Sequence, residues 1–388
     1  MRILFYFSHP AQFHFSKHSV EQLKAKGHRV DIVAKTKDIL THLIEEMGWE
    51  YKNIQSRGRA QSVMAIFLSL LKRDIKLFWH CLNKKYDLLV GTDASLTHVG
   101  AILGIPRITI LEDDYRVIRG LADLTYPFTS CIFTPAVCDV GRWEDKKIGY
   151  NGYMKLAYLH PNHFSPNRDE VRNISATPYY IIRLSGLKAH HDFGIKGITE
   201  YYLEKIIEKL KHHGRVFISS EKELPKKFSS YLLNIPVSKI HHHLYFAEML
   251  ICDSQSMAVE AAMLGTPSVR ISSFSGKITV LEELEYVYKL TYGYQPDNIW
   301  KALHKIEELV NNPLLRSEYR KRRNRMLQDK IDVTAFFTWF VEKYPQSLKL
   351  LKANPDYQLR FGLQPAIHTE KVPEMLKNKH IAYIASSN

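Results

Sequence analysis

Apolar and polar positions along this chain follow two alternating periods. Short β-rich runs at residues 2–7, 29–34, 51–54, 86–90, 107–111 and 131–133 are separated by stretches of helical spacing at 13–26, 37–47, 62–84 and 95–103. Strands separated by helices pair in parallel through right-handed crossovers, so the first half is predicted to be a doubly wound sheet. Residues 162–178 are rich in Asn, Pro and Ser and read as a linker. The pattern then restarts, with strands predicted at 179–184, 215–219, 249–252 and 268–271 and helices at 200–212, 256–264 and 297–311. Beyond residue 312 the chain reads as helical and basic to about residue 344. The rest, punctuated by Pro345, Pro355, Pro365 and Pro373, is expected to wrap the surface loosely. The predicted organisation is therefore α/β with two Rossmann-like domains, 1–165 and 178–330, and a helical C-terminal extension and tail, 331–388. A length of 388 residues suits that division.

Composition changes this picture little. Apolar residues make up 45% and charged residues 24%, which is the balance of a globular chain. The formal charge of +14 calls for an anionic partner, since excess Lys and Arg repel one another in a compact state. No RNA- or DNA-reading module is present, which leaves an anionic substrate or an anionic lipid surface. Cys81, Cys131, Cys138 and Cys252 are far apart and form no CxxC pair, so neither a zinc site nor a disulfide framework is expected. The apolar N-terminal run stops at Ser8-His9-Pro10, too soon for a signal peptide, and the stretch 63–71 is half the length of a spanning helix. A cytoplasmic location follows, at most against the inner face of a membrane. Residues 67–78 offer an amphipathic face for such a peripheral contact, but core packing of a long crossover helix is the plainer expectation.

In open α/β sheets ligands bind beyond the carboxyl ends of the strands. In the first half those positions hold His9 and His14, then Asp93, then Glu112. Histidine suits proton transfer near neutrality, and the two carboxylates suit deprotonation of a hydroxyl or stabilisation of positive charge at an anomeric carbon. Asp93 equally fits a helix N-cap. In the second half Arg183, Lys188 and His191 follow one strand, and Asp253-Ser254-Gln255-Ser256 follows another. The latter turn leads into a helix whose free N–H groups and positive dipole end can take a diphosphate, with Glu260 one turn further placed for ribose hydroxyls. A capping serine and a solvated glutamate account for the same residues. His241-His242-His243 cannot converge on one metal ion, because consecutive helical residues point about 100° apart. One or two of them fit the wall of a base pocket, and no metal is expected.

The run from Asp253 through Glu260 to Gly265-Thr266-Pro267 is similar to the nucleotide-binding strand and helix of GT-B glycosyltransferases and of hydrolysing UDP-N-acetylglucosamine 2-epimerases. The whole chain resembles the domain of unknown function 354 family. Its matching stretches are Ser8 to Ala11, Tyr150-Asn151-Gly152-Tyr153 with Leu156 to Pro161, and His191-Asp192 with Gly194 and Lys196-Gly197. Asp253-Ser254-Gln255 and the ending Tyr344-Pro345 with Asn354 to Tyr357 complete the set.

The resemblance implies a GT-B-like fold, with the two domains facing across a cleft. It also implies a nucleotide-sugar substrate, with UDP as the nucleotide of the epimerase relatives. In the epimerase pattern Asp93, Glu112 and His191 stand where acid and base residues are found. A further Glu is replaced by Asp123, and an N-terminal Arg by His9-Pro10. These departures turn the expectation toward a metal-independent glycosyltransferase of surface-polysaccharide assembly, with no cofactor and with a glycan or lipid-linked acceptor. An epimerase and a non-catalytic nucleotide-sugar-binding protein are the alternatives. In the transferase reading Arg183, Lys188, Ser254, Gln255, Ser256 and Glu260 hold the donor, while His9, His14, Asp93 and Glu112 face the acceptor.

Overall fold

A computed structural model describes residues 1–36, 39–55, 63–186 and 197–363. In the first lobe β1 (Arg2–Phe7) leads into α1 (Pro10–Ala25), followed by β2 (Arg29–Lys35), α2 (Leu40–Glu46) and β3 (Lys52–Gln55). The long α3 (Val63–Leu82) crosses back to β4 (Leu88–Gly91), and α4 (Ala94–Ile102), β5 (Arg107–Ile110), α5 (Arg119–Thr125), β6 (Cys131–Pro135) and β7 (Lys147–Tyr150) complete the sheet. Its strands are parallel, in the order β3-β2-β1-β4-β5-β6-β7. As a central strand with helices on both faces, β1 is buried from Ile3 to Phe7.

A short α6 (Leu156–Leu159) precedes the second lobe. There β8 (Tyr179–Leu184), α7 (Glu200–Leu210), β9 (Arg215–Ser220), α8 (Ile240–Phe246), β10 (Met249–Cys252) and α9 (Gln255–Leu264) follow in turn. They are succeeded by β11 (Ser268–Ile271), α10 (Thr279–Tyr286) and β12 (Thr291–Tyr294). This sheet is also parallel, ordered β12-β11-β10-β8-β9. The strand order reverses between β1 and β4 in one lobe and between β8 and β10 in the other. A crevice therefore opens at those carboxyl ends, where helices leave toward opposite faces.

The chain then continues through α11 (Ile299–Val310), α12 (Leu315–Asp329), α13 (Val333–Glu342) and α14 (Gln346–Ala353). The last two return to the first lobe. Phe336, Phe337 and Phe340 of α13 bring their rings within 5.6, 4.9 and 5.2 Å of Phe133 on β6, and Thr338 donates to Gln22 of α1 at 2.9 Å. The expectation of a loose tail is thus corrected as far as residue 363. Aromatic side chains on α13 and on the turn at 355–361 pack inward, including Trp339 against Tyr357 at 4.9 Å. Pro365 and Pro373 lie outside the described residues.

A second correction concerns α3. Only its later turns reach the core, through Leu77 and Cys81, whereas Met64, Phe67, Leu68, Leu71, Ile75 and Trp79 are exposed. The plainer expectation of core packing fails for these positions, because no element among the described residues covers the outer side of this helix. No helix among the described residues is long and apolar enough to cross a membrane. All four cysteines are buried and unpaired.

Candidate active site at the junction of the lobes

The loops after β1, β4 and β5 place the first-lobe residues. His9 is extended (φ −153°) and caps α1, its Nδ1 accepting the Ala11 N–H at 3.1 Å. One turn on, His14 is packed against Tyr158 and His241, with ring centroids 5.2 and 6.0 Å away, and its Nδ1 is buried without a hydrogen-bond partner. Burial, helped by His241 and Lys17, pulls its pKa down to about 3. Asp93 caps α4 by accepting from Ser95 N at 3.0 Å, with Lys35 Nζ at 2.9 Å and Arg73 Nε at 3.7 Å. Burial alone would raise its pKa, but these cations hold it at about 2. Glu112 accepts from Met154 N at 2.6 Å on Oε1 and from the Lys155 ammonium on Oε2. Lys155 is itself buried, a cost offset by Glu112, Asp113 and Glu260, which together raise its pKa.

In the second lobe Asp253, just past β10, accepts from Ser185 N and Oγ, each at 2.7 Å. Its burial raises its pKa. A Cβ at Gly197 would fall 2.5 Å from Asp253 Oδ2, so the absence of a side chain there permits the close approach. Ser254 caps α9, with Oγ accepting from Met257 N at 3.3 Å. Gln255 donates to Ser272 Oγ at 2.8 Å and accepts from Arg270, a wholly buried guanidinium. Ser256 is exposed on the first turn, where the leading N–H groups of a helix have no intrahelical acceptor.

Glu260 is the meeting point of the two lobes. Its Oε1 accepts from Tyr158 Oη at 2.7 Å and lies 3.4 Å from His241 Nε2, an ion-pair contact short of an aligned hydrogen bond. Burial opposes ionisation, yet His241, Tyr158 and Lys155 keep the carboxyl charged and bring its pKa to about 2. Its Oε2 has no partner among the described residues, and 12% of the side chain remains exposed.

The structure therefore brings His14, Glu112 and Glu260 together with His241, one of the three histidines read as a base-pocket wall, and adds Lys155 and Tyr158, whose roles the sequence did not disclose. Tyr158 sits in the second of the two stretches singled out, 150–153 and 156–161, and Lys155 in the gap between them; this segment bridges the lobes, and Tyr153 Oη also reaches Glu283 at 2.5 Å. Asp93 stands apart, drawn toward β2 and α3. Arg183 is engaged by Ser219 Oγ at 2.8 Å and by Glu221. Lys188 and His191 lie outside the described residues. The three histidines of α8 diverge: His241 turns to Glu260, His242 Nδ1 to Asn167 N at 3.0 Å, and His243 Nδ1 to Lys239 O at 3.1 Å. Asp123 is on exposed α5, bonded to Tyr115 Oη at 2.8 Å.

Solved structures share this architecture. The MnaA–UDP complex of S. aureus superposes with a TM-score of 0.62 at 12% identity, over 90% of this chain and 98% of that one. UDP-GlcNAc 2-epimerase from Methanocaldococcus jannaschii gives 0.60 at 15% identity, over 84% and 99%. A Streptomyces glycosyltransferase complexed with thymidine diphosphate gives 0.56 at 13%, over 88% and 99%. At such identities the likeness is one of fold, and that fold is GT-B-like. Comparison of the sequence with curated proteins found no match. The family described as "Protein of unknown function (DUF354)" matches residues 3–341, nearly the whole length, and the chain belongs to it.

Proposed function

We propose that this protein is a GT-B-type glycosyltransferase that takes a nucleoside diphosphate-sugar as donor, in the assembly of a cell-surface polysaccharide. The observation that carries the reading is the position of α9. Glu260, in its second turn, bonds Tyr158, whose ring packs against His14 of the opposite lobe, so the helix start one turn earlier lies at the edge of this junction. A diphosphate at this turn would meet the N–H groups of Gln255 and Ser256 and the positive end of the helix. Glu260 Oε2 would accept from ribose hydroxyls while Oε1 stays with Tyr158. Lys155, held by Glu112, supplies positive charge as the leaving diphosphate gains negative charge.

His9 accepts the Ala11 N–H on Nδ1, which fixes its ring at the start of α1. His14 stays neutral and lines the wall. The solved UDP and thymidine diphosphate complexes of the same fold are consistent with the donor class.

Transfer is favoured over epimerisation of the donor by the state of two carboxylates. Epimerisation needs an acid and a base flanking the sugar. Here Asp93 caps α4 and is ion-paired with both Lys35 and Arg73, and Asp123 sits exposed on α5. NMR of the protein with UDP-sugars tests the choice. A transferase leaves the donor intact until a glycan or lipid-linked acceptor is supplied; release of UDP or a 2-epimer without acceptor overturns the reading.

A further inference from the structure

We propose that α3 is a membrane-docking helix, whose exposed face seats the protein on an anionic lipid surface. The inference concerns a surface apart from the cleft and stands whether or not the cleft takes a nucleotide-sugar.

At 100° per residue, Met64, Leu68, Leu71, Ile75 and Leu82 fall within about 40° of one line along the helix, and Phe67 and Trp79 within about 60°. Every one of them is exposed, Met64 at 66%, Phe67 at 59% and Trp79 at 60%. Scattered apolar side chains on a surface need no explanation, but a continuous row of this length does. The helix also overhangs its sheet. Its 20 residues span about 30 Å, whereas the 4 residues of β4 beside it span about 13 Å. Contact with the core comes from Leu77, His80 and Cys81 in the second half, and from 64 to 72 no side chain is buried. The row extends onto neighbouring elements, where Ile102, Leu124 and Phe128 are exposed in turn. His98 ties them to α3, bonding Asp74 at 3.0 Å and Leu124 O at 3.0 Å, with its ring 4.9 Å from that of Phe128.

Charge selects the occupant. From Tyr51 to Lys85 Asp74 is the one acidic residue, and His98 pairs with it. Lys72 and Lys76 flank the apolar row at its shoulder, both exposed, with Lys84 and Lys85 past its end. A second copy of a chain of charge +14 would bring the same lysines against themselves. An anionic bilayer satisfies both parts, taking apolar side chains below the headgroups and lysines at their level.

Flotation with vesicles of phosphatidylglycerol and phosphatidylcholine, against phosphatidylcholine alone, tests the proposal. The protein should float with the anionic vesicles, less so as salt is raised, and bind neutral ones at least tenfold more weakly. Phe67→Asp with Leu71→Asp should abolish flotation and leave the melting temperature unchanged, since neither side chain is buried. Lys72→Glu with Lys76→Glu should lower binding while keeping the apolar row. Tryptophan emission should shift to the blue on binding, and Trp79→Phe should remove that shift. Equal flotation of the wild type and the Phe67/Leu71 variant would overturn the proposal. So would absence of flotation together with a self-association that the same variant abolishes, because the face would then be a contact between copies.

Discussion

His14 and Glu260 both touch Tyr158, and each is held in one protonation state near neutrality. Burial keeps His14 neutral, down to about pH 3. Glu260 is buried too, but His241, Tyr158 and Lys155 keep it charged down to about pH 2. The sign for stability is the same for both. Between the native value of about 3 and the unfolded value near 6.5, the unfolded chain binds a proton that native His14 refuses, so stability falls as pH drops through that window. For His14 the loss from pH 7 to pH 5 is about 2 kcal/mol. Denaturant melts at the two pH values should show His14→Gln losing less stability on acidification than the wild type; equal losses would contradict the assignment. For Glu260 the window is lower, from about 4.5 to about 2. Glu260→Ala should weaken nucleotide-sugar binding by about 1–3 kcal/mol, the scale of a charged hydrogen bond, as read by titration calorimetry. Glu112 was legible in the sequence because it stands just past β5, and Glu260 because it lies one turn into the helix that follows β10. Lys155 and Tyr158 were not, since only the tertiary bridge reveals what they touch.

Most elements could be read from periodicity; short helices such as α5 and α10 could not, and two strands went unread for one shared cause. β7 (Lys-Ile-Gly-Tyr) and β12 (Thr-Tyr-Gly-Tyr) are edge strands interrupted by glycine and only partly buried, so they lack the apolar run that marks β1, β8 and β10. The apolar stripe of α3 was visible, but its exposure was not, because a pattern shows which side chains share a face and not what covers it. α9 shows the converse. Ser254 is legible both as a cap and as a phosphate ligand, and the bond to Met257 N makes it a cap without removing the N–H groups ahead of it. Ser254→Ala should cost about 1 kcal/mol of stability in chemical denaturation, the usual loss of an N-cap.

At the scale of the molecule, the lobes are clamped by buried polar bonds as well as by a shared core. Asp114 accepts from Thr279 N and Oγ1 across the crevice, each at 2.8 Å, and so receives the start of α10. Asp332, at the start of α13, instead fastens the returning C-terminal helices to the segment after α6, accepting from Asn162 Nδ2 and His163 Nε2, both at 2.8 Å. Asp114→Ala would leave the Thr279 donors unmatched and should destabilise the protein by about 2–4 kcal/mol in urea melts. An unchanged midpoint would show that this contact does not hold the lobes. None of this clamp was evident from the chain alone, since its partners are 165 residues apart at Asp114 and 170 at Asp332.

The turn and helix start after β10, facing the opposite lobe, are the proposed seat of a nucleoside diphosphate-sugar. The direct measurement is the melting temperature of the protein across a panel of nucleotide-sugars, since a ligand that binds the native state raises it. A saturable rise is expected with at least one member, reduced in Glu260→Ala. A flat response across the panel, or a rise that Glu260→Ala leaves untouched, would contradict it.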